Sequence, residues 1–98
     1  MNKTFLFDKI YVIESLRSVD LKTGEELYND IIKLKLWQKG IYDKCELFKP
    51  ISKNDFFDAI EKIKSESEKC SIYPIIHLEM HGSKDGIEVA NGEIIKWY

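Results

Sequence analysis

Extended apolar segments alternate along this chain with segments of helical periodicity, and that alternation constrains the fold more than any single residue does. Phe5 to Glu14 is rich in Phe, Ile, Tyr and Val with little interruption, which fits a strand buried on both faces. A polar loop, Ser15 to Lys22, leads into Thr23-Gly24-Glu25-Glu26. That T-x-x-E capping box predicts a helix from Thr23, with the Thr23 hydroxyl accepting from the Glu26 N–H. Leu27, Ile31 and Leu34, with Tyr28 and Ile32 beside them, supply its apolar face, and Gly40 its stop. Lys44 to Lys49, ending at Pro50, reads as a short second strand. Ser52-Lys53-Asn54-Asp55 repeats the capping signal, and Phe56, Phe57, Ile60 and Ile63 make an apolar stripe over a helix from Ser52 to about Glu68. Cys70 to His81 is a third strand centred on Ile75 to Met80, with Pro74 near its start, where a missing N–H does least harm. Asn91-Gly92, between two extended runs, then predicts a two-residue type I′ hairpin.

The order β-α-β-α-β plus hairpin implies an α/β fold: a small parallel sheet in the order 2-1-3 with a helix on each face, three layers in all. Its chemistry belongs at the carboxyl ends of the first and third strands, where the loops Ser15 to Lys22 and His81 to Gly86 meet. The 98 residues form a single domain, 1–98, too small for a deep cleft between lobes. With 15 basic and 17 acidic side chains, the chain lacks the basic excess of a nucleic-acid binder. Its apolar runs fall far short of the roughly 20 residues that span a bilayer, and its amino terminus does not read as a signal peptide. Cys45 and Cys70 have neither zinc nor redox spacing, which points to a reducing cytoplasm and two buried, unbridged thiols.

His81-Gly82 is the sharpest chemical feature. A strand end is a rigid mount, His suits proton transfer near neutral pH, and Gly lets a backbone N–H approach a substrate carbonyl. The block PIIHLEMHGSKDGIEVANGEIIKW, Pro74 to Trp97, resembles the histidine half of caspase-like cysteine peptidases, closest to the bacterial group that includes CHAT domains. The resemblance implies that His81 is the catalytic histidine and that the Gly82 N–H helps hold the oxyanion. It also implies that Arg17, in the loop after the first strand, could read an acidic substrate group. The departure is the nucleophile: the family places its Cys after the His, and here no Cys follows Cys70. Cys70 precedes the third strand, and ten extended residues span roughly 33 Å, so no Cys-His pair is expected within the chain.

His77, Glu79 and His81 form H-x-E-x-H along one strand face, but His77 and His81 lie roughly 13 Å apart, too far to share an ion easily. Neither a metal nor a cofactor is expected, and no phosphate-binding glycine motif occurs. Asp20 and Asp85 carry little signal; Asp85 suits the turn before Gly86. In the order 2-1-3 the apolar third strand is a sheet edge, an aggregation hazard unless something pairs with it. The expectation is an incomplete caspase-like domain: the His-bearing half of a cysteine endopeptidase acting on protein or peptide. Such a half is inactive until a Cys-bearing remainder, or a second copy, joins through Ile75 to Met80. The competing expectation is a non-catalytic binding or regulatory protein that associates through the same edge, for example as a dimer.

Overall fold

The computed structural model describes residues 9–40 and 44–97. The expected first strand began at Phe5, and its opening residues 5–8 lie outside the described ones. Strand β1 runs Lys9–Ser15, β2 Cys45–Phe48, β3 Pro74–Gly82, β4 Gly86–Glu88 and β5 Ile94–Lys96. They form one five-stranded mixed sheet in the order β2-β1-β3-β4-β5. β1 pairs parallel with β2 on one side and with β3 on the other, while β4 and β5 add antiparallel. Because β1 is central and covered on both faces, Tyr11 to Ser15 are all buried.

Helix α3, Lys53–Cys70, covers the face that carries Tyr11 and Ile13. It starts as its sequence signal requires: Ser52 accepts from the Asp55 N–H, and the Asp55 carboxylate accepts from the Ser52 N–H. Phe56 and Ile63 pack on Tyr11, Ile13 and Val89 to make the core, while Phe57 stays half exposed. Among the described residues no helix is long and apolar enough to cross a membrane.

The opposite face is covered by α1, Thr23–Leu27, which continues through a π-helical turn, Tyr28–Ile32, into α2, Lys33–Gln38. This helix corrects two expectations. Thr23 makes no cap; its hydroxyl donates to Glu79 on β3, 2.7 Å away. The helix end is held instead by the buried Glu14 carboxylate of β1, which accepts from the Glu25 N–H at 2.8 Å. Nor is the apolar face continuous at a period of 3.6, because the π turn takes an extra residue and rotates the succeeding turns about the helix axis. Ile31 and Leu34 are therefore exposed and Leu36 is the buried position. Gly24 permits the close approach: a Cβ there would meet Glu79 Cβ at 2.9 Å and Glu14 Cβ at 3.1 Å.

The hairpin also departs from expectation. Strand pairing ends at Glu88 and Ile94, so the loop is longer than two residues. Only Gly92 takes positive φ there (+95°), whereas a type I′ turn needs it at both central positions. The Gly92 N–H donates to Val89 O, the Val89 N–H to Glu93 O and the Asn91 N–H to Ile51 O. This is a turn followed by a glycine bulge. The loop folds this way because Ser15 Oγ draws in the Ala90 N–H (2.8 Å) while Ile51 O takes that of Asn91 (2.9 Å).

Candidate functional site

The two loops expected at the switch point do meet. β3 delivers His81 at its carboxyl end, and the loop after β1 folds over it. Asp20 Oδ2 lies 2.8 Å from His81 Nε2, and Arg17 Nη2 lies 3.5 Å from the same nitrogen. Asp20 is fixed in turn by its own loop. It accepts from the Arg17 N–H at 2.9 Å and sits 3.5 Å from Arg17 Nε. The hydrogen bond with His81, then the backbone and charge of Arg17, hold the Asp20 carboxyl below the usual carboxylate range. With Asp20 ionised, Nε2 of a neutral His81 carries the proton, which leaves Nδ1 as the basic nitrogen. The His81 side chain is 43% exposed, so an incoming group can reach it.

Arg17 thus lies beside His81, with Asp20 as its acidic partner. Asp20 is the site residue that the sequence reading passed over. Its separation of 61 residues from His81 leaves no local signal; only the convergence of the two loops could have pointed to it. Gly82 is extended and exposed, and a Cβ there would meet nothing within 4 Å. Asp85 donates its N–H to Ser83 Oγ and accepts from the Trp97 N–H through its carbonyl, which places its backbone in the turn.

Farther down the same face of β3, His77 Nε2 lies 2.7 Å from Glu79 Oε1, and Thr23 donates to the other carboxylate oxygen. Those two bonds, Thr23 first, lower the Glu79 pKa. Among the described residues no three His, Cys, Asp or Glu side chains are arranged to hold a metal ion.

Both cysteines stand at the other end of the sheet, and neither forms a disulfide. Cys45 shares a row with Ile10 and Ile75, about six residues or roughly 20 Å along the strands from His81. Cys70 ends α3, ahead of β3. It is exposed, which corrects the expectation that both thiols are buried. A groove of about 310 Å³ where β2 leads into α3, lined by Phe48, Lys49, Pro50 and Lys62 among others, holds no His or Cys.

Comparison with protein-family models, curated proteins and solved structures finds no match for the chain.

Proposed function

We propose that the chain is the histidine-bearing part of a cysteine peptidase of caspase-like type, with its nucleophile supplied by a Cys-bearing segment outside these residues. The observation that carries this reading is the Asp20–His81 pair: a half-exposed imidazole on a strand end, one nitrogen committed to a carboxylate and the other available. In the completed site the thiol proton passes to His81 Nδ1 and the sulfur attacks the peptide carbonyl carbon. The imidazolium returns the proton to the departing amine, and water hydrolyses the thioester. Gly82 contributes its N–H toward the oxyanion, and Arg17 binds an acidic substrate group once it turns from Asp20. The protein works without a cofactor in the cytoplasm.

The test is reconstitution. The polypeptide encoded beside or beyond this chain is expected to contain an apolar strand ending in Cys, and its assembly with the chain to cleave peptides. The chain alone is expected to be inactive. Cleavage by the assembly that survives His81→Ala would overturn the assignment.

A second reading, a non-catalytic module that binds through its sheet edge, is favoured by the exposure of Ile76 (41%) and Leu78 (46%) on β3. Stable assembly with a partner that contains no Cys-bearing strand, and without peptide cleavage, would support it over the first.

A further inference from the structure

No described strand pairs with Ile75 to Met80 on the side away from β1, because β4 takes only His81 and Gly82. We propose that this edge is self-complementary: residues Ile76 to Met80 of two copies pair antiparallel about a two-fold axis at Leu78. Three observations fix the partner as a second copy and the register as this one.

The first is backbone orientation. The Ile10 N–H donates to Lys44 O at 3.0 Å, so Ile10, Val12 and Glu14 bond to β2 while Tyr11, Ile13 and Ser15 turn their backbone groups to β3. In the parallel register His77 and Glu79 therefore bond back to β1, and Ile76, Leu78 and Met80 turn their N–H and C=O outward. Pairing about Leu78 joins Leu78 to Leu78 and Ile76 to Met80 of the other copy in bonded pairs and sets His77 opposite Glu79 across the closer, non-bonded spacing.

The second is charge. In this register each imidazole meets a carboxylate of the other copy, and the pair occurs twice, once on either side of the axis. Centring on Glu79 would oppose two carboxylates, and centring on His77 would set Glu79 against Ile75. The third is apolar matching. On the α3 face Ile76 meets Met80 of the other copy and Leu78 meets Leu78, which covers two side chains that are 41% and 46% exposed in the single chain.

The dimer stands on these observations alone. Its consequence rests on the peptidase reading: two paired edges leave no room for a Cys-bearing strand at β3, so completion requires the dimer to open.

Sedimentation equilibrium of the chain tests the pairing. A concentration-dependent dimer is expected. Leu78→Lys, which sets two ammonium groups face to face on the axis, is expected to abolish it with the far-ultraviolet circular dichroism unchanged, since Leu78 is already half exposed. His77→Glu is expected to weaken the dimer by roughly tenfold through two like-charge contacts, and adding Glu79→Lys to restore it. A chain that stays monomeric at every concentration, or a dimer that Leu78→Lys leaves intact, overturns the proposal. Peptidase activity of a completed assembly is measured separately, so loss of either idea is read independently of the other.

Discussion

Asp20 on the first loop and His81 on the third strand, 61 residues apart, share a 2.8 Å hydrogen bond that selects which imidazole nitrogen carries the proton. The carboxylate accepts only from N–H, so the bond favours the Nε2-protonated tautomer and aims Nδ1 outward. Asp20→Ala is expected to remove an exchange-protected His81 Hε2 resonance from the proton NMR spectrum, and Asp20→Asn, whose carboxamide oxygen still accepts, to retain it. In a completed enzyme Asp20→Ala should lower turnover by less than the roughly 10²- to 10⁴-fold that a general acid–base contributes, because Asp20 acts through His81. An Hε2 resonance unchanged by Asp20→Ala would show that the pair does not persist in solution.

Glu14 is a buried carboxylate, 2% exposed, that satisfies the Glu25 N–H at the start of α1. Lys49 Nζ, 3.9 Å away, is a distant counter-ion. Glu14→Ala leaves the amide without an acceptor where the helix meets the sheet, and is expected to destabilise the fold by about 1–2 kcal/mol in urea unfolding. Glu14→Gln keeps an acceptor and is expected to cost less. Equal losses from both variants would assign the effect to charge and not to capping.

Stability is expected to fall on acidification. The Glu79 pKa is held down by Thr23 and His77, and that of Glu66 by Tyr11, then Lys9. A carboxylate with a depressed folded pKa binds fewer protons folded than unfolded. Its contribution is therefore complete above the unfolded value, about 4.3 for Glu, and is lost as pH falls through the lower folded value. Urea midpoints measured downward from neutral pH should decline in that window, and Glu79→Gln should flatten part of the slope. A slope that Glu79→Gln leaves unchanged would exclude Glu79 as a source of the decline.

What the sequence made legible was what neighbours in sequence decide. Phe56, Ile60 and Ile63 announce α3, Ser52 and Asp55 announce its start, and the alternation of elements gives three parallel strands with β1 between β2 and β3. What it hid was decided by residues brought together from a distance. Thr23 carries a local capping signal, yet its hydroxyl goes to Glu79, 56 residues away, because the buried Glu14 already holds the helix end. Asn91-Gly92 signals a tight turn, yet Ser15 and Ile51 draw in its amides and widen it. Asp20 looked like an ordinary loop acid until the loop was folded onto His81.

Ser15 supplies the hinge point for that widened turn. Its buried hydroxyl donates to Pro50 O at 2.6 Å and accepts from the Ala90 N–H at 2.8 Å. One side chain at the end of β1 thereby ties the approach to α3 to the hairpin loop, across sequence separations of 35 and 75 residues. Ser15→Ala strands a buried carbonyl and an amide together, which is expected to cost about 1–3 kcal/mol overall. The loss should also be visible locally. Val89, 1% exposed, inserts into the core beside that amide, so releasing the loop loosens Val89 before it disturbs β1 or α3. Native-state hydrogen exchange should show the Ala90 amide accelerated more strongly than those of Val12 or Ile63. Uniform acceleration at all three positions would show that Ser15 supports the fold as a whole and does not anchor the hairpin in particular.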